Sequence, residues 1–140
     1  MKKTFLLFLF FGISQMYSQS VLGKWKTIDD KTNQPKSIVE IYESNGKIYG
    51  KVIEIFNEAK PNGVCSKCTG TDKNKPVLGL VVIKGLSKDG EEYSDGKILD
   101  PETGSLYKCM IKLLGKEKLE VRGYMGISLL GRSQTWVRTK

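Results

Sequence analysis

Short runs of β-branched and aromatic residues recur along the chain, with turn-forming residues between them. Apolar and polar positions alternate clearly in SLYKCMIKLL, where Tyr107, Cys109, Ile111 and Leu113 share one face and two lysines take the other. A period of two residues is typical of a β-strand that buries one face. The pattern therefore predicts that Cys109 lies inside the protein.

The segments between these runs carry the residues that hairpins require. SNGK at 44–47 contains Asn-Gly, KDGE at 88–91 contains Asp-Gly, and DPETG at 100–104 joins a proline turn to a glycine. Such turns give each strand an antiparallel partner on both sides. The predicted strands cover residues 22–28, 37–43, 47–56, 77–86, 91–99, 105–114, 117–124 and 127–138.

One of these segments, VLGLVVI at 77–83, is apolar on both faces, which indicates a covered strand. The rest of the chain after residue 20 shows no helical period, and the loop at 57–64 is the place where a helical turn fits best. Many strands in a short chain must avoid exposed edges, and closing the meander into a barrel does so. We therefore expect an all-β fold, a small antiparallel up-and-down β-barrel of about eight strands.

The first residues follow a different pattern, in which two lysines precede an apolar run at 5–13 and then small and polar residues. This is the pattern of a secretory signal peptide, cleaved here after Ser18 or Ser20. The apolar run is too short for a membrane span, which needs about 20 residues. We expect a signal peptide at 1–20, a single domain at 21–140, and a secreted or periplasmic protein with no transmembrane segment.

The composition is basic, with 23 lysines and arginines against 15 acidic residues. Without the two lysines of the signal peptide, 21 basic against 15 acidic residues leave a net charge of +6. Pairs such as Lys24 and Lys26 fall on one face of a strand, which favours a solvated sheet face. The alternative is contact with an anionic envelope surface. Nucleic acid is not an expected partner, because no motif for binding it is present.

The cysteine pair in CSKC admits three chemical interpretations. A redox motif needs its first cysteine at the start of a helix, whereas Cys65 and Cys68 run into the loop sequence TGTDKNKP. A zinc site needs four ligands, and the chain offers one further cysteine, no histidine and carboxylates such as Asp72. A disulfide needs only an oxidising compartment. We therefore expect a Cys65–Cys68 disulfide and no metal site.

The absence of histidine excludes several enzyme classes. Serine and cysteine hydrolases with a histidine base, and enzymes with histidine-bound zinc, require a residue that the chain lacks. A carboxylate mechanism remains open at Asp95, Asp100 and Glu102. Two of these three lie in a proline turn, where aspartate commonly caps the backbone. We expect no catalytic residue and no cofactor.

The segment VRGYMGISLLGRSQTW at 121–136 holds three glycines and two of the three arginines after residue 20. One interpretation is a tight hairpin with solvated arginines. The other places an arginine at the barrel mouth, where it meets an anionic ligand group. Ile111 and Val121 would then line the barrel below. The candidate ligand-binding residues are Trp25, Arg122, Tyr124 and Arg132.

The two ends of the barrel sequence carry a tryptophan and an arginine. GKW at 23–25 opens the first predicted strand, and WVR at 136–138 closes the last. Gly-x-Trp with a late arginine resembles the signature of the lipocalin and calycin superfamily, in which the arginine packs across the tryptophan. Closure of the barrel would bring Trp25 and Arg138 together.

Four blocks resemble the bacterial domain-of-unknown-function 2147 family (DUF2147) over nearly the whole of 21–140: CSKC, PVLGLVVIKGL, DGKILDPETGSLYKC and LEVRGYMGISLLGRSQTWVR. The resemblance implies a small exported protein with a lipocalin-like β-barrel, and it implies no catalytic residue. Tyr93 stands where the family pattern has tryptophan.

These observations favour a non-enzymatic binder of a small amphipathic or anionic ligand, since an eight-stranded barrel readily encloses a lined cavity. The first alternative is an envelope or host-surface protein-interaction module. The second is a histidine-independent enzyme.

Overall fold

The computed structural model of the protein describes residues 20–56, 63–127 and 130–140. Each strand pairs antiparallel with the next, and the last pairs with the first, so the predicted up-and-down barrel is confirmed. Residues 1–19 of the predicted signal peptide lie outside the described residues. The strands are β1 Gly23–Ile28, β2 Pro35–Ser44, β3 Lys47–Ile55, β4 Val81–Asp89, β5 Glu92–Leu99, β6 Leu106–Leu113, β7 Lys118–Tyr124 and β8 Gly131–Thr139.

The connections alternate between the two ends of the barrel. The β2–β3, β4–β5 and β6–β7 hairpins lie at one end, with the residues that precede β1, and we name it the closed end. Asn45 and Gly46 have φ of 52° and 76° there, the left-handed pair that a two-residue hairpin requires. The longer β1–β2, β3–β4, β5–β6 and β7–β8 loops lie at the opposite end, which we name the open end.

The closed end is filled by the core of the protein. Trp25 is fully buried, and its indole Nε1 donates a 2.9 Å hydrogen bond to the Val21 carbonyl. The Arg138 guanidinium carbon lies 4.2 Å from the centre of the Trp25 ring, so the predicted packing of this arginine is confirmed. The guanidinium also donates to three backbone carbonyls, those of Ser20 (2.6 Å), Leu22 (3.0 Å) and Lys116 (2.7 Å).

Two strands begin four residues later than the sequence predicts. Residues 77–80 form a turn, in which the Leu80 N–H donates to the Val77 carbonyl at 3.1 Å, and β4 begins only at Val81. Leu78 is half exposed, so the prediction of a covered strand at 77–83 is wrong for its first half. The apolar run was misleading because Gly79, at a φ of 89°, turns the chain before the strand starts. Similarly, β8 begins at Gly131 rather than at residue 127.

The β3–β4 loop is held by a disulfide and an ion pair. Cys65 and Cys68 are bonded to each other and buried, and Cys109 is a buried free thiol, as predicted. Burial raises the pKa of the Cys109 thiol to about 12. Lys84 on β4 donates to the Asp72 carboxylate at 2.7 Å, which lowers the pKa of Asp72. The loop is thereby attached to the outside of the barrel.

A single 3-10 turn, Gly70–Asp72, occurs in the described part of this loop. The helical turn was expected at 57–64, and residues 57–62 of that range lie outside the described residues. In the β5–β6 loop, the Glu102 N–H donates to the Asp100 carboxylate at 2.9 Å, which is the backbone capping expected of this proline turn.

Candidate functional site

A cavity of about 910 Å³ occupies the half of the barrel nearest the open end. Its wall is built mainly from inward-facing apolar side chains that are buried in the fold. These include Val39, Val52, Val82, Val121 and Trp136. The volume lies within the range of roughly 300–1,000 Å³ that small-molecule sites usually have. The barrel is therefore packed solid at the closed end and hollow at the open end.

A few polar groups interrupt the apolar wall. The Thr27 and Ser37 hydroxyl oxygens lie 2.7 Å apart across the β1–β2 pair, so one hydroxyl donates a hydrogen bond to the other. Both residues line the cavity, as does Tyr107 on β6. An apolar wall with a small number of fixed polar groups is the usual composition of a site that orients a small ligand.

The rim of the cavity carries charges of both signs, and they pair. Lys36 at the start of β2 forms a 2.5 Å ion pair with Glu102 in the β5–β6 loop. Arg132 on β8 forms an ion pair with Asp30 in the β1–β2 loop. Next to Asp30, the backbone N–H groups of Lys31 and Thr32 hydrogen-bond to the Asp29 carboxylate and lower its pKa. The rim is thus charged but close to electrically balanced.

A chain of hydrogen bonds leads from the rim into the cavity. The Asp30 Oδ2 atom that pairs with Arg132 also accepts a 2.9 Å hydrogen bond from Gln134 Nε2. The Gln134 side-chain oxygen accepts in turn from the indole Nε1 of Trp136 at 3.2 Å. Arg132, Gln134 and Trp136 are alternate residues of β8, so their side chains share the face that lines the cavity.

The structure brings two of the four candidate ligand-binding residues to the cavity. Tyr124, at the end of β7, and Arg132 both line it. Arg122 does not line it, because it lies on the outer face of the sheet and donates to the Ser133 hydroxyl at 3.0 Å. Trp25 is in the core of the closed end. Of the two apolar positions expected below the mouth, Val121 lines the cavity and Ile111 is buried in the core.

Gly131 lets β7 and β8 approach closely at Tyr124. Gly131 is the register partner of Tyr124. A Cβ atom at Gly131 would lie 2.6 Å from the Tyr124 Cβ and 2.7 Å from the Gly123 carbonyl oxygen. Gly131 therefore leaves room for a close neighbour, Tyr124.

The sequence reading missed Gln134 and Asp30. Gln134 lies two residues after Arg132 and two before Trp136, so the alternation along the last strand was a sufficient signal for it. Asp30 is 102 positions from Arg132 in the sequence, within a loop of ordinary polar composition. Only the closure of β1 on β8 brings it to the rim.

Among the described residues of the β7–β8 loop, three large apolar side chains are exposed beside the cavity mouth. Met125, Ile127 and Leu130 are 64%, 61% and 68% exposed, and Met125 and Leu130 also line the cavity. The Lys108 ammonium lies beside them and donates to the Gly126 carbonyl at 3.4 Å.

Neither a metal cluster nor a membrane helix is found in the ranges that the structure describes. No three cysteine, aspartate or glutamate side chains converge there in a way that suits a metal ion. None of the helical segments in those ranges has the length and apolar composition needed to cross a bilayer.

The fold is similar to that of protein HP1028 from the human pathogen Helicobacter pylori, which belongs to the lipocalin family. The two chains are 22% identical, and the alignment covers 88% of this chain and 85% of that one with a TM-score of 0.77. No curated protein matches the sequence significantly. The model of the family described as "Uncharacterized protein conserved in bacteria (DUF2147)" matches residues 23–138, and the chain therefore belongs to the DUF2147 family.

Proposed function

We propose that this protein binds a small amphipathic ligand in the open half of its barrel, with the apolar part inside and an anionic head group at the rim. The observation that carries the proposal is the cavity of about 910 Å³, with its apolar wall and few polar groups. A lipocalin-like fold suits small-ligand binding, because such a barrel encloses a site that one end leaves open.

The head group would meet Arg132 and Tyr124, which line the cavity near its rim and carry a cation and a hydroxyl. Thr27 and Ser37 lie deeper along the wall but already bond to each other, so they accept an apolar chain without leaving a polar group unpaired. Arg132 is 70% exposed, and its hydrogen bond to a ligand would remain partly screened by water. We expect Arg132→Met to weaken binding of a carboxylate only about twofold, as for an exposed ion pair.

A substitution that fills the cavity tests the proposed binding site directly. Decanoate serves as the probe, and isothermal titration measures its affinity for the parent and for Val121→Phe, which places a larger side chain in the cavity wall. Val64→Phe is the matched control, because it makes the same change at a half-exposed position of the β3–β4 loop that lines neither of the two cavities beside Asp30. The proposal predicts a loss of about tenfold or more for Val121→Phe and no change for Val64→Phe.

A folded Val121→Phe variant that binds decanoate as tightly as the parent would show that the cavity is not the binding site. Mass spectrometry under native conditions, on protein purified from its own host, adds the identity of the natural ligand. A co-purified amphipathic small molecule that is present in the parent and absent from the Val121→Phe variant supports binding in the cavity.

Export is part of this proposal. A buried disulfide and membership of a bacterial family are compatible with a secreted or periplasmic protein. N-terminal sequencing of the protein recovered from a periplasmic or culture fraction tests it, with cleavage expected after Ser18 or Ser20. An intact N-terminus in the cytoplasmic fraction alone would contradict export.

A second candidate function is contact of the open end with an anionic surface of the cell envelope. The exposed Met125, Ile127 and Leu130 favour it, because neighbouring apolar side chains beside a lysine suit a lipid headgroup region. Sedimentation with vesicles that contain phosphatidylglycerol tests it. Ile127→Ser should reduce vesicle binding, whereas Leu114→Ser, an exposed leucine at the closed end, should not. Equal binding by both variants would exclude this candidate.

A further inference from the structure

We propose that Asp30 occupies the head-group position of the cavity while no ligand is bound, and that an anionic ligand binds by displacing the Asp30 carboxylate from Arg132. The inference rests on the proposed function and adds the residue that sets its head-group selectivity. It assigns a role to Asp30 and Gln134.

The first step is the geometry of the Asp30 carboxylate. One oxygen, Oδ2, is held by two donors on neighbouring inward positions of β8, Arg132 Nη2 and Gln134 Nε2, the latter at 2.9 Å. A charged donor and an amide donor that converge on one carboxylate oxygen form the arrangement that recognises a ligand carboxylate or phosphate. Asp30 therefore marks where such an oxygen is bound.

Asp30 bridges a gap between the first and last strands of the barrel. β1 and β8 pair only at Lys24, Lys26 and the residue between them, opposite Val137 to Thr139, all near the closed end. Further towards the open end, the described part of β8 pairs with β7 alone. The Asp30 side chain crosses this gap from the β1–β2 loop, so a side-chain contact rather than a backbone ladder holds the loop against β8.

The contact between Asp30 and Arg132 is weak enough for a ligand to replace Asp30. The Asp30 and Arg132 side chains are 39% and 70% exposed, and an exposed ion pair of this kind contributes little to stability. Asp30 also has space to withdraw. A second cavity of about 340 Å³ lies beside the first and shares Ile28, Asp29, Asp30 and Gln134 with it.

The Asp30–Arg132 pair affects the selectivity of the site between anionic and neutral head groups. An anionic head group can accept hydrogen bonds from Arg132 and Gln134 only when Asp30 gives up its own bonds to them. The free energy gained at the head group is therefore nearly offset by the free energy lost at Asp30. A neutral head group leaves the Asp30–Arg132 pair in place. The parent should therefore discriminate weakly between an anionic ligand and a neutral ligand with the same chain, and Asp30 should be the reason.

The experiment compares decanoate with decanol in the parent and in Asp30→Asn. Asparagine has almost the same shape and still accepts a hydrogen bond from Gln134, but it removes the charge that competes for Arg132. We expect Asp30→Asn to bind decanoate about fivefold more tightly, the equivalent of one exposed ion pair, and decanol as the parent does. Asp30→Ser serves as a second variant if asparagine alters the loop.

Two controls separate competition from a general change in charge. Asp89→Asn removes the same charge at the closed end, where Asp89 is the exposed last residue of β4, and should change neither affinity. In the Arg132→Met background, Asp30→Asn should give almost no gain for decanoate, because the contested cation is gone.

An unchanged decanoate-to-decanol ratio in a folded Asp30→Asn protein would overturn the proposal while leaving cavity binding intact. An equal gain for both probes, or the same gain in Asp89→Asn, would also overturn it. If neither probe binds to the parent or to any variant, the proposed function fails for this class of ligand and the role of Asp30 falls with it.

Discussion

The two ends of the barrel are made by the same eight strands but are stabilised by different contacts. At the closed end, Trp25 is fully buried and Arg138 binds three backbone carbonyls around it. At the open end, the cavity takes the place of a core, and the rim is closed by side-chain ion pairs such as Arg132–Asp30. Backbone carbonyls cannot leave without moving the chain, whereas paired side chains can rotate away. The closed end is therefore suited to stability and the open end to exchange with a ligand.

The largest difference in stability between the two ends should appear when each of the two tryptophans is replaced by alanine. Trp25→Ala removes a fully buried ring from a filled core and should lower the free energy of unfolding by about 3–5 kcal/mol. Trp136→Ala should cost less, about 2 kcal/mol, because one side of Trp136 already borders the cavity. Urea unfolding measures both values. An equal loss at the two positions would contradict the division of the barrel into a filled half and a hollow half.

Loss of Arg138 at the closed end should destabilise the protein more than loss of Arg132 at the open end. Arg138→Met loses three hydrogen bonds from a charged donor and the contact with the Trp25 ring, and should cost about 2–3 kcal/mol. Arg132→Met loses an exposed ion pair and should cost less than about 1 kcal/mol. Thermal unfolding of the two variants provides the measurement. If Arg132→Met unfolds the protein, Arg132 is structural and the binding role assigned to it is wrong.

The disulfide acts on the open end only. Chain-entropy reasoning gives a ring as small as Cys65–Cys68 about 2 kcal/mol, and its loss in Cys65→Ser/Cys68→Ser should loosen the β3–β4 loop without opening the barrel. Alkylation followed by intact-mass analysis tests the pairing. We expect no label on the native protein, one after denaturation, at Cys109, and three after reduction and denaturation. Three labels without reduction would contradict the disulfide.

The smallest effect concerns acid stability. The hydrogen bond from Lys84 lowers the pKa of Asp72 below its ordinary value of 3.8. The resulting stabilisation is present above that value and is lost as the pH falls through the lower pKa of the folded state. Lys84→Met should therefore cost about 1 kcal/mol near neutral pH. The cost should shrink in the acid range below 3.8, as measured by urea unfolding against pH. A cost that is the same at all pH values would contradict this role of the ion pair.

Sequence patterns alone predicted the closed end well. The Asn-Gly and Asp-Gly hairpins are local properties of short segments, and the structure has them in place. The contact between Trp25 and Arg138 followed from barrel closure together with a short signature. Each of these depends on backbone geometry or on a period of two residues.

The open end was predicted less completely, for physical reasons. Arg122 and Arg132 carry the same charge in the same segment, but the pleat sends one outwards to Ser133 and the other inwards to the rim. The last strand was also predicted to begin four residues too early. Asp30 depends on a contact between the first loop and the last strand, which no local pattern encodes.

The most direct test of the account is the location of a bound ligand, and the two tryptophans report it. Trp136 lines the cavity and Trp25 lies in the closed-end core, so Trp25→Phe leaves a reporter at the open end and Trp136→Phe leaves one at the closed end. Titration of decanoate should change the fluorescence of the Trp25→Phe protein in a saturable way and leave that of the Trp136→Phe protein nearly constant. A saturable change confined to the Trp25 signal, or binding by calorimetry with no change at Trp136, would contradict a ligand site in the open half of the barrel.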